Sequence, residues 1–292
     1  MPDVADEPAP APAYVHADLL PGVVASTVGY ASVESEERLH RGVPSPWLTV
    51  ILSLDGPIAW SEDLDGIGTG AERRESVLVS ALHTRATAVR LPRRQAGLQL
   101  AVHPLEARRL LGASPAELAS RGVTGPDVLG APAEALRQRL VETASWPERF
   151  ALLQTFLRGR LESAPRSTLV RPELAEAWRW LLRSDGRRRL DGLATHVALS
   201  PRHLTTLFAR EVGLPPKRVA RLVRFDATAR SLTRATAAGR RTDLAALAAA
   251  RGYADQSHLD REFRDHLGTS PTAWLAEEHR NIQAGGHRNG EG

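Results

Sequence analysis

One segment of this chain returns 55 residues later, and that repeat constrains the fold more than any other feature. His203, Leu204, Phe208, Val212, Gly213 and Pro216 reappear in register as His258, Leu259, Phe263, Leu267, Gly268 and Pro271, and Ala194 maps onto Ala249. Two copies of one supersecondary unit are therefore expected. In the first, Leu190, Leu193, Ala194 and Val197 form a helical stripe, Ser200 can cap a second helix, and Pro201 suits its first position. Leu204, Leu207, Phe208 and Val212 then face inward, and Gly213 supplies a left-handed cap. In the second, Leu244, Leu247 and Ala248 precede Gly252, Asp255 can cap, and Leu259, Phe263 and Leu267 turn inward before Gly268. Each copy reads as helix, turn, helix, with the small Ala194 and Ala249 letting the two helices approach.

The inward positions define the outward ones. Arg202, His203, Thr205, Thr206 and Arg210 project from the first unit, and Gln256, Ser257, His258, Asp260, Arg261 and Arg264 from the second. A helix fits the DNA major groove, where Arg202 and Arg261 suit guanine and Gln256 suits adenine, while the short Thr205, Thr206 and Ser257 reach thymine methyls, bases or phosphates. Asp260 equally fits a surface pair with Arg264 at i+4. Pro216 to Thr236 reads as one linking helix, long enough at 1.5 Å per residue to span roughly 30 Å, close to one DNA turn. Charge agrees: residues 187–251 hold 14 Lys+Arg against 4 Asp+Glu, a net +10, although the whole chain carries only +4. A cationic block beside an acidic remainder is the footprint of a nucleic-acid-binding module joined to something else. Residues 252–280 are net −3, so the first unit is expected to supply most of the salt-dependent affinity.

The front half has another rhythm. Short apolar clusters at 23–30, 47–54, 76–82, 86–91 and 97–103 are separated by Gly, Pro and Asp, and Leu48, Val50, Leu52 and Leu54 alternate with Trp47, Thr49, Ile51 and Ser53 as in a strand. From Pro104 the period is helical, opening on the Ser114-Pro115-Ala116-Glu117 capping box; Ser184-Asp185-Gly186 breaks the pattern. The expected fold is α+β. A disordered tail (1–13) precedes a β-rich, sensor-like regulatory domain with flanking helices (14–165) and a helical linker (166–186). An all-α domain (187–280) follows, with helix-turn-helix units at about 190–213 and 243–268 joined by a helix over 216–236, and 281–292 form a second tail. The longest strongly apolar run is Trp47 to Leu54, too short to cross a membrane. The acidic, Pro-rich start is the reverse of a secretory signal, which points to the cytoplasm.

At LATHVALSPRHLTTLFAREVGLPPKRVARLVRF (193–225) and LAAARGYADQSHLDREFRDHLGTSPTAWL (247–275) the chain closely resembles the DNA-binding domain of the AraC/XylS family of bacterial transcription regulators. The resemblance covers about a third of the chain. It implies that Arg202, Thr205 and Thr206 face the groove from the first recognition helix, and Gln256, Ser257, Asp260 and Arg261 from the second; Arg210 joins them on the outward face. It implies promoter DNA and RNA polymerase as partners, a monomer or homodimer, and activation more often than repression. Ala198 stands where the family usually has glycine, and Thr228 and Ser231 stand where it usually has apolar residues. The front half is weakly similar to the sensory halves of such regulators, at His40 to Leu54 and His103 to Gly112, with an effector pocket expected inside it. The competing readings are a cupin-like metal enzyme built on His40, His83 and His103, and a protein-interaction module. The histidines lack a nearby ligand at metal spacing, so no metal, cofactor or catalysis is expected. DNA-alkylation repair needs an acceptor cysteine, and the chain has none.

Overall fold

A computed structural model describes residues 13–121 and 125–283. The expected tails lie outside them, except Ala13, which opens the first strand, and 281–283, which end the last helix. Nine strands come first: β1 (Ala13–Ala17), β2 (Val24–Val33), β3 (Arg38–Gly42), β4 (Leu48–Ser53), β5 (Ile58–Ser61), β6 (Arg73–Glu75), β7 (Val77–Ser80), β8 (Thr87–Leu91) and β9 (Arg94–Val102). They form two antiparallel sheets, ordered β1-β2-β9-β4-β7 and β3-β8-β5-β6. The short β1, β3, β5 and β6 have no counterpart among the expected clusters, because three to five residues hold too little alternation to register.

Alternation in β4 and β9 gives the larger sheet two unlike faces. Leu48, Val50, Leu52, Leu98, Leu100 and Val102 are buried against helices, whereas Thr49, Ile51, Ser53, Gln99 and Ala101 face the second sheet across a cavity. The covering helices are α1 (Ala107–Leu111), α2 (Pro115–Arg121), α3 (Gly125–Leu129), α4 (Ala131–Glu142) and α5 (Trp146–Ser163), which contribute Leu110, Leu136, Leu140 and Leu153. The capping box forms at α2: Ser114 N–H donates to Glu117 Oε2 at 2.8 Å, and Glu117 N–H returns to Ser114 Oγ at 3.3 Å.

Beyond them run α6 (Pro172–Arg183), α7 (Leu193–His196), α8 (Pro201–Val212), α9 (Pro216–Ala237), α10 (Leu244–Ala250), α11 (Gln256–Leu267) and α12 (Pro271–Gln283). One core joins Leu174, Trp178 and Leu181 of α6 to Leu193, Leu204, Phe208, Val219 and Val223; another joins Phe225, Ala229 and Leu232 to Ala248, Leu259, Phe263, Leu267 and Trp274. The linking helix α9 thus belongs to both units, and it is buried on nearly every side along its middle. Between α6 and α7 the chain turns through left-handed Asp185 (φ 47°) and Gly186 (φ 64°). A Cβ on Gly186 would lie 2.1 Å from the Ala220 carbonyl oxygen, so only glycine lets this turn approach α9.

The turns of the two units differ from the expected pairing of Ala194 with Ala249. Ala249 is exposed, and Ala248, with no accessible surface, is the residue packed inside. Leu199 N–H bonds to Ala194 O and Tyr253 N–H to Ala248 O, both at 2.9 Å, so the entering helices repeat at 54 residues. The recognition helices repeat at 55, because the second turn carries one more residue. The left-handed positions, Ala198 (φ 53°) and Gly252 (φ 76°), obey the 54-residue spacing.

Candidate nucleic-acid interface

Both recognition helices start on side-chain caps: Ser200 accepts from His203 N–H at 3.2 Å and Asp255 from His258 N–H at 2.7 Å. Both end on left-handed glycines, Gly213 at φ 81° and Gly268 at φ 71°. With Leu204, Phe208 and Val212, and Leu259, Phe263 and Leu267, turned inward, the polar faces point out. Arg202, Thr205, Thr206 and Arg210 on α8 are exposed, as are Gln256, Ser257 and Arg261 on α11, while Asp260 is half-buried. Thr205 and Thr206 donate their hydroxyls to Pro201 O and Arg202 O on their own helix, at 2.9 and 3.0 Å, leaving methyls and lone pairs outward. Arg210 is tied to Glu211 at 2.8 Å. Arg202 and Arg261 make no ion pair among the described residues, and Asp260 does not pair with Arg264. His258 accepts the Ala254 N–H at 3.3 Å and so braces the turn.

Much of the cationic block is neutralised internally. Arg224 and Arg221 clasp the buried Glu262 at 3.1 and 3.4 Å, and Arg221 also reaches Asp265 at 3.0 Å. Arg230 holds Asp226 at 2.8 Å, and Arg251 holds Asp185 at 2.8 Å. Arg221 and Arg224 thus join the linking helix to the second unit, Arg251 joins the end of α10 to the turn after α6, and Arg230 pairs within α9 itself. Lys217 and Arg218, exposed at the start of α9, are among the cations that make no ion pair among the described residues and can meet phosphate.

The strand module touches both units. Arg108 pairs with Glu211 of α8 at 3.0 Å, and Gly213 abuts Ala116. At the other unit, Ala86 N–H donates to His266 O and the His266 ring meets Thr84 O, both at 2.6 Å, while Arg41 reaches Leu267 O at 3.0 Å and Glu277 at 2.9 Å. Burial holds the His266 imidazole below its ordinary range.

Between the sheets lies a cavity of about 540 Å³. The expectation was a pocket within the β-rich half; its wall is completed by Ala229, Thr233 and Ala237 of α9 and Trp274 of α12. Of the three histidines proposed for metal, His40 and His83 border this cavity, whereas His103 caps a turn through Leu105 N–H at 3.2 Å. Among the described residues no group of three or more His, Cys, Asp or Glu could hold a metal ion, and no helix is long and apolar enough to cross a membrane. The α9 wall has no counterpart in the sequence patterns because residues far apart in sequence build this cavity, and no local pattern marks it.

Residues 193–277 match a family described as a helix-turn-helix domain. The chain is 33% identical over 132 residues to the HTH-type transcriptional regulator Rv1931c of Mycobacterium tuberculosis, covering 45% of this chain and 47% of that protein; it spans about half the length of the curated relative it matches. Solved structures of ToxT from Vibrio cholerae overlay with low similarity. One has a TM-score of 0.47 and 11% identity over 86% of this chain and 97% of that chain. Another, bound to an unsaturated fatty acid, has a TM-score of 0.48 and 12% identity over 85% and 94%. Residues 193–277 are thus a helix-turn-helix domain, carried behind a two-sheet module.

Proposed function

We propose that the chain is a sequence-specific DNA-binding transcriptional regulator. It reads adjacent major-groove segments with α8 and α11, and residues 14–165 control it. One observation carries this reading: two capped helices, braced by one shared helix, each present an outward polar face over an equivalent buried Phe. On α8, Arg202, Thr205, Thr206 and Arg210 face DNA; on α11, Gln256, Ser257, Asp260 and Arg261 do. The kinship with Rv1931c, itself named a transcriptional regulator, supports the same role. RNA polymerase is the expected protein partner and the cytoplasm the expected place, with the chain acting as a monomer or homodimer and a small molecule in the cavity as the controlling signal. Footprinting of the full chain upstream of its own gene tests this. Two protected segments about one helical turn apart are expected; no protection, with weak salt-independent binding, would overturn the reading.

A further inference from the structure

The strand module completes the cores beneath both recognition helices, and one short loop reaches the two of them. Residues 81–86 join β7 of the larger sheet to β8 of the smaller. Leu82, 7% exposed, lies in the core that holds Leu204, Phe208 and Val212 of α8, together with Leu105 from the turn after β9. Ala86, 3% exposed, lies in the core that holds Leu259, Phe263 and Leu267 of α11, with Val43 and Leu64 packed beside it. Hydrogen bonds fix the loop where it meets α11. The last carbonyls of a helix have no partner inside it; His266 O accepts from Ala86 N–H at 2.6 Å, and Leu267 O accepts from Arg41 at 3.0 Å. The His266 ring donates to Thr84 O, and the His83 ring to Arg85 O within the loop, both at 2.6 Å.

Both ends of this loop are held in sheets, so it has little slack. Residues four apart in a fully extended chain are separated by at most about 14 Å, which bounds the distance between the two cores at this point. Helix α9 also runs through both cores, yet two bodies threaded on one rod can still rock about it. The Arg251–Asp185 pair ties the units a second time at 2.8 Å, but at the end of α10 and the turn after α6. The loop acts on the cores of the recognition helices themselves. We propose that residues 81–86 of the strand module brace α8 against α11 and thereby make the distance between the two DNA segments a specificity determinant. Leu82 and Ala86 select spacing, not bases. A braced reader has its helices placed before it meets DNA. Segments one base pair nearer or farther are displaced by about 3.4 Å and a tenth of a turn, which close-packed cores resist. The spacing selectivity rests on the DNA-binding reading; the brace does not.

Two glycines inserted between Leu82 and His83 keep both anchors and the residues that make these hydrogen bonds, while lengthening the tether by up to about 7 Å. Leu82→Ala removes one anchor instead. The chain has no cysteine, so Ala209→Cys on α8 and Arg264→Cys on α11, both at exposed positions, take spin labels for a distance measurement in the full chain without DNA. One narrow distance distribution is expected, broadened by the insertion and by Leu82→Ala; a distribution that neither change broadens overturns the brace. The unlabelled full chain is then titrated with promoter fragments carrying the two protected segments at their native spacing and one base pair nearer or farther. The displaced fragments should bind about tenfold more weakly, and the insertion should reduce that penalty to about threefold or less while leaving the penalty for a base change within either segment unaltered. Equal binding at all three spacings by the unaltered chain, or a penalty that the insertion leaves intact, overturns the spacing selectivity. If the insertion broadens the distribution but the unaltered chain binds no fragment at any spacing, the regulator reading falls together with the spacing selectivity, and the brace stands.

Discussion

Ala198 occupies a left-handed backbone conformation, φ 53°, that its partner turn assigns to Gly252. An L-residue pays steric energy there, on the order of 1 kcal/mol. Ala198→Gly should therefore raise stability slightly, by up to about 0.5 kcal/mol, because glycine's larger unfolded-state entropy offsets most of the relieved strain, measured as a shift in urea midpoint at constant slope. At the interface, Arg202 belongs to the cationic first unit, where Lys217 and Arg218 make no ion pair among the described residues, whereas Arg261 lies on the acidic second unit. Arg202→Ala should lower the salt dependence of DNA binding by about one ion, and Arg261→Ala by less; a larger change for Arg261 would contradict the expected division of labour. These residues were legible in the sequence because the outward face of a helix follows from its inward one. Glu262 was not, since a carboxylate one helical position from Phe263 reads as surface until α9 is seen to cover it.

That carboxylate makes α9 more than a spacer. Glu262 is 1% exposed and clasped by Arg224 and Arg221, while Thr228 and Ser231, where related domains usually carry apolar residues, have specific partners. Thr228 Oγ1 donates to Arg224 O at 2.7 Å and lies 3.4 Å from the Tyr253 hydroxyl, and Ser231 Oγ donates to Ala227 O at 3.0 Å and accepts from Arg251. Removing one partner of such a pair strands the other charge. Glu262→Ala should cost about 3 kcal/mol, seen in denaturant unfolding, and should release the second unit from the linking helix before the first, seen as earlier loss of amide-exchange protection in α11 than in α8. The helix's span could be read from its pattern, but its pairing could not, because the acids that neutralise Arg221 and Arg224 lie some forty residues away.

For the whole molecule, the joint between the strand module and the helical domain should lose stability in acid. His103 lies between Trp47 and Trp178, and burial pushes its imidazole down to about 4; His266 at the second contact is lowered for the same reason. As pH falls below about 6.5 the unfolded chain takes up protons that the folded chain refuses. The stability held by neutral His103 is therefore present above that pH and lost progressively toward 4, by at most about 1.4 kcal/mol per pH unit. Unfolding free energies between pH 7 and 4.5 should fall accordingly, and His103→Asn, which keeps an acceptor for Leu105 N–H, should make the decline shallower by about one proton. The sequence by itself determined the two recognition helices, their caps and outward faces, the linking helix and the strand alternation of β4, because each follows from periodicity within a dozen residues. Only the tertiary structure decided the one-residue difference between the turns, the neutralisation of the linking-helix arginines and the cavity walled by both halves. Those depend on which distant residues meet, and burial, charge pairing and ring contact are settled only when the chain has closed on itself.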